Sequence, residues 1–442
     1  MRPRVFSLRT RFDGKANSLE AKPTRRTGAT QGRLLLREFR RATSDARSPG
    51  GSVRRTQAFE VPELIPSAAV PAAPRLGYVD GLRALAALWV AFHHVIVTSE
   101  PSRLMALPVF GPVLGSLFSG QFAVMVFLLL SGFCLYYPYV KKQPIKPAFT
   151  TGYFPYLWRR FKRIAPPYYW AGAFCLLITL FPPLMIGEWR AAGPIDAGTI
   201  LSHLVFVHNL IPEYSARIDY PMWSIGLEWQ LYLLFPLLVW AFCKSNGWLV
   251  TGVAFLGAGA VRAVQHHVPP ALGSVLRDGP FAYLEIFCAG MLVAAYTAQR
   301  RRIAPNWLLG CIVIGGLLSV RLGSGGGLVH DLSAAASAFA VLMLSTDEDS
   351  WAARVLNTPW LVRVGVYSYS IYLIHAPLLH LCWYFLRPLQ LSKDLEFAIL
   401  CVAMIPIVFV CYGFHYFFER PFMRSGHGRA PSSARAALPT NR

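Results

Sequence analysis

The sequence predicts an all-α integral membrane fold, a bundle of about ten transmembrane helices with both termini cytoplasmic. Three observations carry that expectation. Hydrophobic residues make up 54% of the 442-residue chain and mean hydropathy is +0.41, high for a soluble protein. The apolar residues form long, nearly uncharged runs, among them Leu85–Val97, Val124–Leu135, Leu231–Cys243 and Ile399–Tyr412. With its flanks each run reaches about 20 residues, enough to cross a bilayer. Basic residues gather in alternate connections, the bias that places cationic loops on the cytoplasmic side.

Taken in order, residues 1–76 come first. They are rich in Arg, Ser, Thr, Pro and Gly and show no helical period, the composition of a disordered tail. Sixteen of the 43 Lys and Arg lie here against six acids, so nearly half of the +21 net charge belongs to the tail. Nucleic acid is therefore not an expected partner. The Arg-rich, acid-poor start resembles an organellar transit peptide, and a start codon assigned too far upstream is the alternative. A secretory signal is excluded because no apolar run occurs there.

Ten spans follow within a domain set at 77–424, with tail 425–442 beyond it: 80–99, 118–138, 166–186, 222–243, 246–264, 281–298, 306–321, 330–345, 366–386 and 396–417. Loop 139–165 holds Lys141, Lys142, Lys146, Arg159, Arg160, Lys162 and Arg163, and loop 299–305 holds Arg300, Arg301 and Arg302. Loop 346–365 adds Arg354 and Arg363. Loops of the other parity carry fewer: Arg103 in the first, Arg190 and Arg217 in the longest, Arg387 and Lys393 in the last. An even number of crossings with cytoplasmic ends fits this distribution. Within outer loop 187–221, Ile200–Ile211 is apolar but too short to span, as a re-entrant or interfacial segment would be. No internal repeat is visible, which argues against a secondary transporter.

Eight cysteines fall in or beside apolar segments, without a C-x-x-C pair or histidines at metal-ligand spacing, so they read as buried apolar residues. Neither a metal nor a bound cofactor is expected.

Ionisable residues inside a membrane are costly, so each is a functional candidate. In the first span Asp80 occupies the position expected of an N-cap. Arg83 and His94 stand eleven residues apart, which puts them about 20° apart around the helix and about 16 Å apart along it. One face thus carries a cation at the cytoplasmic mouth and an imidazole in the outer half of the bilayer, while His93 points about 80° away. Glu228, about six residues into the fourth span from outside, sits at a similar depth and could orient the imidazole. Arg160 and Arg163 share a helix face ahead of Pro166-Pro167, and guanidinium forks suit phosphate groups. The bland readings are a snorkelling Arg83, core-satisfied His94 and Glu228, and an Arg160/Arg163 anchor for anionic lipid. Ser131, beside Gly132, reads as close helix packing. Glu285 and the Ser368–Pro377 stretch with His375 are lesser candidates, and His203 and His208, five apart, have a poor spacing for a metal.

These motifs together resemble the membrane-bound acyltransferase family 3. They are Asp80-Gly81-Leu82-Arg83 with ten residues before His94, Phe127–Phe133 around Ser131-Gly132, and Arg160-x-x-Arg163 before Pro-Pro-Tyr-Tyr. Trp223-Ser224-x-x-x-Glu228, Ser370-Ile371-Tyr372-Leu373-Ile374-His375-x-Pro377 and Phe418-Glu419-Arg420-Pro421-Phe422 complete the set. Their order and spacing cover residues 78–424. The resemblance implies a multi-pass enzyme of the cell membrane that moves an acyl group from acyl-CoA to a hydroxyl of a carbohydrate, polysaccharide or macrolide-like acceptor. It implies that Arg83 and His94 are the catalytic pair and that Arg160 and Arg163 bind the donor, and the residue pattern adds Glu228 to the catalytic set as the group that steadies the imidazolium. Ser131 and His375 are left as substrate contacts. Two departures stand out. Gly226-Leu227-Glu228-Trp229 keeps one carboxylate where the family usually has two, and no soluble domain follows Arg424, so the chain is expected to act alone. A polytopic transporter or flippase of a polar substrate is the alternative, and a non-catalytic sensor the third reading.

Overall fold

A computed structural model describes residues 76–108, 111, 120–141, 152–179, 194–299, 305–322 and 327–423. The predicted tails, and the connections carrying Lys142, Lys146, Arg190 and Arg300 to Arg302, lie outside the described residues. Within them the chain is helical and no strand occurs. The long helices are Gly77–Ser99 (α1), Gly120–Lys141 (α2), Tyr153–Thr179 (α3), Trp223–Lys244 (α4), Gly247–Val264 (α5) and Leu284–Ala298 (α6). Pro305–Leu322 (α7), Gly327–Ser345 (α8), Ser368–Leu386 (α9) and Lys393–Phe414 (α10) follow. Among the described residues five helical segments are both long and apolar enough to cross a membrane: α1, α2, Tyr220–Lys244 with α4, α5, and Lys393–Met423 with α10.

The core forms where α1 meets α2, α9 and α10, and where α2 meets α6. Helices α1, α2 and α4 are interior, whereas α5 and α10 present Leu249, Leu256, Val402, Ile405 and Phe409 outward. A surface this apolar suits lipid, which demands no hydrogen bonds from side chains while the backbone satisfies itself internally. The cysteines divide accordingly: Cys175, Cys288 and Cys411 are buried, but Cys243 and Cys311 are exposed on helix exteriors rather than buried as expected.

Close approach of α2 and α6 rests on two glycines. A Cβ at Gly132 would stand 2.0 Å from the Phe287 carbonyl oxygen, and one at Gly290 would stand 1.9 Å from that of Leu129. Each glycine therefore lies against backbone of the other helix, the packing that small residues permit in membranes. Gly132→Val is expected to cost about 3 kcal/mol or more, because backbone cannot step aside as a side chain would. Thermal unfolding of the purified protein checks this. Gly413→Ala, where a Cβ meets open space, should leave the transition in place.

Two local expectations are corrected. Asp80 is not the N-cap. Helix α1 begins at Gly77 after Leu76, and Asp80 lies in its first turn with its carboxylate on Arg83. Nor does the Pro166-Pro167 pair start a helix. Helix α3 runs unbroken from Tyr153 to Thr179 with both prolines inside it. Proline is tolerated within membrane helices where neighbours cover the freed backbone groups. Arg160 and Arg163 consequently belong to the same rigid rod as Tyr168 and Tyr169, not to a loop ahead of it.

Residues 194–222, the described part of the connection between α3 and α4, are folded. Asp196 caps a short helix, Ala197–Leu204, by accepting from the Thr199 N–H at 2.7 Å and its hydroxyl at 2.8 Å. Those bonds, with Arg217 at 2.9 Å, hold the Asp196 carboxyl below its ordinary range. Buried His203 and His208 stack at 3.9 Å, and Asn209 meets Gln230 of α4, so this segment packs on the fourth helix.

Candidate active site

The predicted site residues separate into two clusters. The first is built on α1, α2, α3 and α4. Arg83 donates from Nη1 to Asp80 Oδ1 at 3.3 Å and from Nη2 to Cys134 Sγ at 3.3 Å. Cys134 lies one turn beyond Ser131 on α2, so the same face presents both. The Ser131 hydroxyl donates to Glu228 Oε1, and so does the Tyr232 hydroxyl at 2.5 Å. Tyr232 is four residues after Glu228 and hence directly beneath it on α4.

Helix α3 supplies the remaining cations. The Arg160 guanidinium lies over the Tyr156 ring at 5.8 Å, and among the described residues its buried Nε has no hydrogen-bond partner. Arg163 is exposed, although Ile164, Ala165, Pro167 and Tyr168 beside it are buried. Arg163 falls within electrostatic reach of Arg83, Arg160, Tyr232 and Cys134, and Arg83 within reach of Glu228. Three guanidiniums thus meet two carboxylates, Asp80 and Glu228. The surplus positive charge, with donors not fully committed, suits an anion bearing several oxygens. Tyr369 of α9 borders this cluster, donating to the Ile164 carbonyl at 3.1 Å and lying near Glu228.

The second cluster joins α1 and α9. The ring of half-buried His94 lies 5.1 Å from that of fully buried His375 and 5.2 Å from that of His93, with His380 within electrostatic reach. His93 turns toward the start of α2, where a Cβ on Gly120 would meet its ring at 2.7 Å. His93 thus adds a contact with the start of α2 to its place beside His94 and within reach of His375, whereas the His94 ring faces that of His375.

Glu228 and His94 do not pair. Among the described residues no hydrogen bond joins them, and each has the other neighbours just named. The depth match expected from the sequence fails, because Glu228 lies at the Arg83 end of the α1 face and His94 at the other. Ser131, read as a packing residue, instead bonds Glu228, while Gly132 does the packing. Glu285, the lesser candidate in α6, is tied up by Arg262 of α5 in a buried ion pair. Sequence reasoning missed Tyr232, Tyr369 and Cys134. Tyr232 carried a usable signal, since it stands four residues from Glu228. Tyr369 lay only within the lesser Ser368–Pro377 stretch, and Cys134 directly follows the Phe127–Phe133 motif, so neither had a signal of its own.

Residues 76–416 match the family model described as an acyltransferase domain. The chain belongs to acyltransferase family 3. No curated protein and no solved structure matches it.

An acyltransferase is an enzyme, which sets aside the transporter and sensor readings, and its apolar helices make it a membrane protein. Acyl transfer requires a group that accepts a proton from the attacking nucleophile and donors that hold an anionic or polarised donor. An imidazole such as that of His94 can serve as the first, and guanidiniums such as those of Arg83, Arg160 and Arg163 can serve as the second. The two clusters stand on the same helix, α1, separated along its axis by about 16 Å.

Proposed function

We propose that this acyltransferase moves an acyl group, acetyl in the first instance, from coenzyme A to a hydroxyl of a carbohydrate or glycosylated acceptor. The observation that carries the reading is the convergence of Arg83, Arg160 and Arg163 at one end of the face of α1 that bears His94 at the other. Coenzyme A is elongated, with phosphates at one end and its thioester at the other. Its phosphates would rest on Arg160 and Arg163, and its pantetheine arm would follow α1 to His94. His94 would take the acceptor hydroxyl's proton as the oxygen attacks the thioester carbonyl. That proton would then pass to the departing thiolate, so the reaction balances without a metal or bound cofactor.

Ten crossings of the cell membrane, with both termini in the cytoplasm, accompany this reading. The cationic connections would then lie on the side where coenzyme A is made. A reporter fused after Arg302 is expected to read cytoplasmic and one fused at Ala216 external, which protease protection or a compartment-sensitive reporter measures. A cytoplasmic Ala216 would overturn the topology.

The function is tested with purified protein, radiolabelled acetyl-CoA and a panel of sugar acceptors, expecting labelled ester and free thiol in equal amounts. Mass spectrometry of cell-envelope glycans and secreted metabolites, with and without the gene, would then identify the acceptor by a lost acyl increment. No labelled ester and no missing increment would exclude the reading.

A further inference from the structure

The carboxylate expected to orient His94 is engaged elsewhere, which leaves the question of what holds that imidazole. Helix α9 provides the answer. His375 Nδ1 lies 2.8 Å from the Ile371 carbonyl oxygen and 2.9 Å from that of Tyr372. A carbonyl oxygen only accepts, so Nδ1 must carry the proton, and in the neutral ring Nε2 is then a lone-pair acceptor. That Nε2 is buried and, among the described residues, without a hydrogen-bond partner. A buried acceptor left unpaired is costly, so such an atom calls for an explanation.

The ring's placement is fixed from several directions. One turn earlier on α9, the Tyr372 hydroxyl donates to the Pro221 carbonyl at 2.9 Å and meets Ser224 Oγ at 2.6 Å, tying α9 to the start of α4. Phe127 of α2 lies edge-on to the Tyr372 ring at 5.6 Å. His375 itself has no exposed surface. Facing it, the His94 ring stands 5.1 Å away, tilted by 56°, and makes no hydrogen bond to any described residue. Such a separation is closed by a small side-chain rotation or bridged by one water. Catalytic hydrogen bonds commonly tighten only once substrate is bound.

We infer that His375 is the positioning residue of the base: its Nε2 accepts from one N–H of His94 and so leaves the other His94 nitrogen as the lone pair that faces the acceptor hydroxyl. The inference rests on the proposed role of His94 as general base. During transfer the acceptor's proton moves to that nitrogen as the new C–O bond forms. The C–S bond breaks, and the thiolate takes the proton from His94. His375 gains and loses none. Its part is to fix the tautomer and ring orientation of His94 and to stabilise the transient imidazolium, the role carboxylates play in other triads.

The test measures thiol released from acetyl-CoA by the purified full-length protein, with a mixed panel of monosaccharides as acceptors. His375→Leu removes the acceptor atom and is expected to lower kcat about 10- to 100-fold while leaving the KM for acetyl-CoA unchanged. His375→Gln restores an oxygen acceptor at similar reach and should recover kcat to within about threefold of wild type. A role in packing alone predicts equal losses for Leu and Gln, or a raised KM, and either result overturns the inference. So does a His375→Leu enzyme with wild-type kcat. His94→Ala, run in parallel, separates the two levels of the argument. An active His94→Ala enzyme overturns the general-base reading and the inference with it. An inactive His94→Ala beside a fully active His375→Leu overturns the inference alone.

Discussion

His94→Ala is expected to lose at least about 10²- to 10⁴-fold in turnover, while the protein still inserts and still binds acyl-CoA. The magnitude is that of general-base catalysis. It should appear in kcat with little change in donor KM, because Arg160 and Arg163 lie on another helix in a separate cluster. His93→Ala is the control. It removes the same group from the adjacent position of the same helix, so damage to folding should be similar, yet its ring faces Gly120 at the start of α2. Its loss of turnover should be much smaller. Steady-state kinetics on both variants, with detergent-solubilised protein verified as monodisperse, makes the comparison. Equal losses at 93 and 94 would mean that the separation of faces along α1 does not govern the chemistry.

That comparison uses a feature read directly from the sequence. Arg83 and His94 share a face because eleven residues make nearly three whole turns, and helix periodicity needs no knowledge of neighbours. The apolar runs and the motifs were legible for the same reason, as properties of single segments. What failed were statements requiring two segments at once. Glu228 was matched to His94 by depth, but counting residues into two separate helices fixes neither their relative level nor their rotation, and Glu228 lies instead with Ser131 and Tyr232 in the Arg83 cluster. The imidazole that does meet His94 comes from residue 375, and no local pattern links residues so far apart in the chain. Pro166-Pro167 misled for a different reason. The proline rule comes from water-exposed helices, whereas α3 packs in a membrane bundle beside α9, whose Tyr369 donates to the Ile164 carbonyl close to the prolines.

The continuity of α3 sharpens the second large effect. Because Arg160 and Arg163 stand on an unbroken helix three residues apart, their separation is fixed and they can engage neighbouring oxygens of one anion together. Replacing both by Gln is expected to raise the KM for acyl-CoA about 10²-fold or more. Each charge-assisted bond to a phosphate contributes roughly 1.5–3 kcal/mol, and two are lost together. The effect on kcat should be small, since neither residue touches His94. Lys at both positions keeps the charge but loses the planar fork, so only partial recovery is expected, with the residual difference measuring the geometric part. Salt should separate the variants further, because screening weakens a point charge more readily than a bidentate pair held in place. Isothermal titration with acetyl-CoA and with desulfo-coenzyme A would locate the loss in binding of the phosphate-bearing portion, independent of turnover. An unchanged donor affinity in the double Gln variant would return Arg160 and Arg163 to a role as anchors for anionic lipid at the membrane surface, and Arg83 would then be the remaining cation for the donor.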